Sequence, residues 1–174
     1  LPFLSRLLAV YGLLVASACS AATFSDFSSF AAATSSLVTE DFDAAPWPGN
    51  QTTLPSTVTN LGVTWSSLDQ FGSTEFRSRS GKTGVSDFDT SADNDIIFAV
   101  INVTGITAFG GYIHNNFDAF GGGADISLNA YSAGGTLLAS VIAPDPSNFR
   151  FVGVTTTVDI ARVGFRALQS NDDF

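Results

Sequence analysis

Residues 125–142 read DISLNAYSAGGTLLASVI, and this stretch decides the fold. Ile126, Leu128 and Ala130 alternate with Ser127, Asn129 and Tyr131, a period of two that sends apolar side chains to one face of a strand and polar ones to the other. Ala133-Gly134-Gly135 then supplies turn chemistry, and Thr136-Leu137-Leu138 resumes the strand pattern. The segment is therefore a β-hairpin with one buried face.

Working outward, runs of β-formers a few residues long alternate with Gly, Pro, Asn and Asp clusters. The pattern predicts about eight strands, at 37–43, 62–68, 96–101, 107–114, 125–132, 136–142, 149–154 and 159–168. No helical run separates consecutive strands as a βαβ unit requires, so the expected fold is all-β, an antiparallel two-sheet β-sandwich. One short helix is expected within 23–34, where Phe27, Phe30, Ala31 and Thr34 follow helical spacing behind a capping Ser25; its expected place is the edge of a sheet. Trp65 alternates with Val63 and reads as core. Gly121-Gly122-Gly123 lacks the strand-to-helix setting of a dinucleotide loop and reads as a turn.

Composition agrees with strands and turns. The chain of 174 residues is 45% hydrophobic and 13% charged, with 16 Phe, 16 Gly and no Met. Disorder over most of the length is excluded by that apolar content, and one domain is the default at this length. The formal net charge of −9 repels phosphate backbones and anionic lipid surfaces, which removes nucleic acid as a partner. A neutral polysaccharide, a divalent cation or a surface protein with a basic face meets less resistance.

Arg6, the apolar run 7–15 and the small residues of ASACSAA at 16–22 have the three zones of a secretory signal peptide. The expected organisation is a signal peptide over 1–21 and a sandwich domain over 22–174, giving an extracellular or cell-surface protein. The run at 7–15 is too short to span a bilayer and no other stretch comes close, so no transmembrane helix is expected in the mature chain. Cys19 is the only cysteine, which precludes an internal disulfide; its place after Ala16-Ser17-Ala18 also permits a lipoprotein reading.

Chemistry-bearing groups are sparse. With a single histidine, a Ser-His-Asp triad would need His114, and no G-x-S-x-G elbow accompanies it. Only Glu40 and Glu75 serve as glutamates for a two-carboxylate glycosidase. The chain reads as a non-enzyme. Calcium takes six to eight oxygen ligands, and two acidic groups offer them: Asp41 and Asp43 with Asp172 and Asp173, and the run Asp87, Asp89, Asp93 and Asp95. The second departs from an EF-hand, since Ala92 stands where glycine is required. Both groups also read as solvated acidic loops that blunt sheet edges.

Sugar binding calls for a flat aromatic ring beside amides. Trp47, bracketed by Pro46 and Pro48 and followed by Asn50, has that setting, although a Trp in such a loop also reads as a plug over one end of the core. His114 and Asn116, at a strand end, complete the expected ligand contacts.

Four segments together resemble the bacterial exosortase-sorted extracellular proteins, often called PEP-CTERM proteins. They are residues 24–34, TEDFD at 39–43 with NLGVTW at 60–65, ITAFGGYIHNN at 106–116, and FRFVGVTTTVDIARVGFRALQSNDDF at 149–174. The resemblance implies a jelly-roll-like sandwich, export, a role at the surface or in the extracellular matrix, and no shared catalytic activity. It also favours the calcium set of Asp41, Asp43, Asp172 and Asp173, because such modules often hold a structural calcium between first and last strands. In that family a Pro-Glu-Pro sorting tail follows the acidic run that Asn171-Asp172-Asp173-Phe174 resembles. The sequence stops there, read either as truncated before the tail or as a member without the sorting signal, so anchoring is not carried over. The expected function is a secreted, non-catalytic, carbohydrate-binding module with a structural calcium. The alternatives are a purely structural surface protein and a secreted hydrolase.

Overall fold

The computed structural model describes residues 20–40, 52–53, 57–67, 75–79, 82–86, 97–113, 125–144 and 149–168. In chain order the elements are β1 (Ala21–Phe24), α1 (Phe27–Ala33), β2 (Thr52–Thr53), β3 (Thr57–Asn60), β4 (Val63–Ser67), β5 (Glu75–Arg79) and β6 (Lys82–Ser86). They continue with β7 (Ile97–Ile101), β8 (Ala108–Ile113), β9 (Asp125–Tyr131), β10 (Leu137–Ala143), β11 (Arg150–Thr156) and β12 (Arg162–Leu168). Two sheets make the sandwich: a six-stranded one in the order β10-β9-β12-β7-β4-β3 and a three-stranded one in the order β1-β11-β8. A further small sheet runs β2-β5-β6. Every pairing is antiparallel. The all-β two-sheet sandwich with one short helix is thus the architecture of the chain.

The quoted hairpin forms as its sequence dictates. Ser132 N–H donates to the Thr136 carbonyl (2.9 Å) and Gly135 N–H to the Ser132 carbonyl (3.0 Å). Gly135 takes a φ of +79°, the left-handed residue of a three-residue loop, and the ladder bulges between Leu137 and Ala139. Alternation then does the sorting. Ile126, Leu128 and Ala130 enter the core, with Leu128 and Ala130 fully buried. Opposite them from β12, Val163 and Phe165 pair with Ala130 and Leu128. Trp65 is core as expected, stacked on Phe165 (6.4 Å between centroids, 19° between planes) and tilted on Phe109 of the facing sheet at 6.2 Å. These rings bridge the two layers.

β11, like the middle of β9, is buried on both sides. Val152 and Val154 face the sandwich core, while Phe151 and Gly153 face outward and are equally covered. The cover is α1. Phe30 is only 3% exposed, and its ring lies where a Cβ on Gly153 would stand, 2.7 Å from Cδ2. So the helix lies on the outer face of the three-stranded sheet, whereas the sequence placed it at a sheet edge. The reason is the paired glycines: Gly153 sits opposite Gly110 across the β11–β8 ladder, leaving a slot without side chains into which an aromatic ring drops.

Further departures are local. The helix starts behind Asp26, not Ser25, because the Asp26 carboxylate accepts from Ser29 N–H at 2.8 Å. Thr23, expected in the helix, belongs to β1, whose pairing with β11 outweighs helical spacing. Of the strand expected at 37–43, residues 37–40 are irregular, and the remainder lies outside the described residues. β1, β2, β3, β5 and β6 fall outside the strands expected from sequence; β2 has two residues and β1 and β3 only four, too short for alternation to show.

Candidate functional site

The two outer faces of the sandwich differ in chemistry. On the six-stranded sheet, Asn129 is buried and fully engaged: its Oδ1 accepts from Ser140 Oγ (2.7 Å) and its Nδ2 donates to Ser127 Oγ (3.2 Å). The Arg162 guanidinium lies 4.4 Å from the centre of the Tyr131 ring, one row along. Thr59 and Thr64 share a hydroxyl contact of 2.7 Å, and Asn102 Nδ2 donates to Thr64 Oγ1 at 2.8 Å. Polar groups here are spent on one another.

The outer face of the three-stranded sheet is aromatic. Phe151, on β11, is the hub: Tyr112 from β8 meets it edge-on at 5.4 Å and 72°, and Phe27 from α1 does so at 5.6 Å and 73°. Phe30 tilts against Phe151 at 5.3 Å, and Phe24 stands on Phe30 at 5.6 Å and 75°. Strand alternation puts Phe149 on the same side as Phe151. Each edge-to-face pair adds about 0.5–1.5 kcal/mol beyond burial, so the array is a rigid unit.

What the array leaves to solvent is the informative feature. Phe151 is covered, yet Tyr112 is 62% exposed and Phe27 46%, and Phe149 is also exposed. Two rings standing on a third form a ridge whose exposed surface is aromatic. Flat rings of this kind stack on the apolar faces of sugar rings. At the ridge's foot, the backbone N–H of Ser29 and then the Ser28 hydroxyl hold the fully exposed Asp26 carboxyl below its ordinary pKa.

Trp47, Asn50, His114 and Asn116, the expected ligand contacts, lie outside the described residues, as do Asp41, Asp43, Asp172 and Asp173, the expected calcium set. Among the described residues no group of three or more His, Cys, Asp or Glu is placed to hold a metal ion. Among the described residues no helix is long and apolar enough to cross a membrane. Glu40, one of the two glutamates, meets the Asn60 side-chain amide.

The ridge itself went unread in the sequence because its rings come from three distant segments. The sequence carries a partial signal: Phe149 and Phe151 share a strand face by the period of two, and Gly110-Gly111, which pair with Gly153 and Val152, mark a close approach. Compared with known proteins, the chain matches no family model, no curated protein and no solved structure.

Proposed function

We propose that this chain is a secreted, non-catalytic module of the cell surface or extracellular matrix that holds a neutral polysaccharide on the aromatic ridge. The observation that carries the reading is Tyr112, 62% exposed yet fixed edge-on to Phe151, with Phe27 in the mirror position. Burying those rings would have been favourable, and their presentation on a braced support suits a ligand that stacks. Net charge supports the neutral ligand, since −9 works against uronate or sulfate polymers. Secretion rests on the basic, apolar and small-residue zones of 1–21 and on the resemblance to exosortase-sorted proteins.

The test is retention of the purified chain on insoluble neutral polysaccharides. Tyr112→Ala is expected to weaken retention by about tenfold or more, as loss of a central aromatic contact does. Trp47→Ala measures the contact read from sequence on the same columns. Absence of retention on every polymer, with Tyr112→Ala indistinguishable from wild type, would favour a purely structural surface protein.

A structural calcium held by Asp41, Asp43, Asp172 and Asp173 is part of the proposal. Ligand bound only to the folded state adds about 2.7 kcal/mol at a hundredfold excess over Kd, so calcium is expected to raise the melting temperature by several degrees. Asp41→Asn should abolish that rise. Identical melts with calcium and with chelator would remove calcium from the picture.

A further inference from the structure

The aromatic ridge offers a stacked sugar a surface but does not fix how the sugar is turned on it. Dispersion and hydrophobic contact have no preferred direction within the plane of a ring. Orientation has to come from a polar group beside the rings, as binding sites use a few placed polar groups for specificity. Asp26 is the charged residue next to Phe27 in the chain, and it is exposed. Its Oδ1 accepts two hydrogen bonds, from Ser29 N–H and from the Ser28 hydroxyl, each at 2.8 Å. Its Oδ2 has no partner among the described residues.

Two features set that oxygen apart from an ordinary surface carboxylate. It is held still, because two hydrogen bonds to Oδ1 fix the carboxylate, so Oδ2 is presented without the rotamer freedom that a mobile side chain loses on binding. It is also tied to a stacking ring. Phe27 is the next residue, with its Cα about 3.8 Å from that of Asp26. Its ring is 46% exposed and stands edge-on to Phe151. A sugar lying on Phe27 therefore brings the hydroxyls of its rim to the neighbouring carboxylate. The backbone donors of α1 play no part in this contact: Ser29 N–H is already given to Oδ1, and an anion would meet the charge of Asp26 itself.

We infer that Asp26 orients the polysaccharide on the ridge, its Oδ2 accepting a hydrogen bond from a free hydroxyl of the sugar stacked on Phe27. The inference rests on the reading of the ridge as a polysaccharide site, and it narrows the ligand to a neutral polymer whose hydroxyl groups are unsubstituted. Hydrogen bonds to an ionised acceptor are about twice as strong as neutral ones. A site built to bond a hydroxyl rejects an analogue that lacks it, because the acceptor is left unpaired. On an exposed ridge water takes up part of that loss, so the discrimination is several-fold and not the many orders of an enclosed site. A uronate is turned away at the same atom by like charge.

The experiment casts a soluble β-glucan, a galactomannan and a xylan into native gels, each unmodified and O-methylated, and reads the retardation of the full chain against a gel without polymer. O-methylation removes the hydroxyl donors and leaves the C–H faces of the sugars in place. Asp26→Asn keeps the capping oxygen but puts an amide nitrogen where Oδ2 stands, and Asp26→Ser caps the helix with no second oxygen. Wild type is expected to bind the unmodified form of the polymer that retards it several-fold more tightly than the methylated form. Both Asp26 variants, shown to be folded by thermal melts, should lose that difference, while Tyr112→Ala weakens binding to both forms. A preference for free hydroxyls that survives in both variants, or no preference in wild type, would overturn the inference and leave the ridge reading standing. Equal weakening of both polymer forms by the Asp26 variants would also overturn it, since Asp26 would then act only by holding the helix that carries Phe27. No retardation of wild type in any gel would remove the ridge reading and the inference with it.

Discussion

The aromatic ridge and the turns at one end of the sandwich, where Leu61, Val103, Val158 and Leu137 are exposed, both present apolar side chains but are built differently. On the ridge each ring is held by another ring, and the whole rests on a glycine slot between β8 and β11. At the loop end each aliphatic side chain stands alone on a turn fixed by backbone hydrogen bonds. A ligand with a flat, ordered surface needs the first kind of support, because ring orientation decides whether stacking occurs. Aliphatic tips need only the second, because the hydrophobic effect has no preferred direction.

The largest expected effect separates the two regions outright. Phe30 is buried between α1 and β11, so Phe30→Ala should cost about 3–5 kcal/mol and release the helix carrying Phe27. Denaturant unfolding gives the cost, and polysaccharide retention should fall while the fluorescence of an environment-sensitive label at Leu61→Cys is unchanged. If both readouts fell together, the ridge and the loop end would be one cooperative unit and the contrast drawn above would be wrong.

Gly153→Ala asks the same question more gently. The added methyl would stand 2.7 Å from Phe30 Cδ2 and 3.1 Å from Phe151 Cε1, so two rings must shift. Overpacking of this kind costs about 1–3 kcal/mol. A melting temperature equal to wild type would mean that the slot is looser than its geometry implies.

The smallest effect is a pH dependence at the helix start. Asp26 has its pKa lowered from 3.8 in the folded chain, so its contribution is present above that value and lost as pH falls through the folded pKa. Asp26→Asn keeps a capping acceptor but no charge. The difference in melting temperature between wild type and Asp26→Asn should favour wild type at pH 6 and shrink below pH 3.8; a difference that does not change with pH would show that the carboxylate's charge is immaterial.

Some of this was legible in the chain alone. Alternation through 125–131, the Gly-rich turn and the burial of Trp65 follow from side-chain period and turn chemistry, which act between near neighbours. The helix at Phe27–Ala33 was also legible from its spacing, though its cap was not: Ser25 and Asp26 both qualify, and only the built turn shows which side chain reaches Ser29 N–H. The site was not legible. The ridge depends on Phe27, Tyr112 and Phe151 meeting across more than a hundred residues of chain, while the contacts expected at Trp47 and His114 lie outside the described residues.

By itself, then, the sequence determined that strands form, where most of them run and which of their residues turn inward, because each strand's pattern is set by its own alternation. Only the tertiary structure decided that β11 lies between β1 and β8, and that α1 covers its outer side. Nothing local in FRFVGVT distinguishes a strand buried on one face from one buried on both. That choice is made by long-range pairing, where Gly153 meets Gly110 and opens room for a ring from the N-terminal helix.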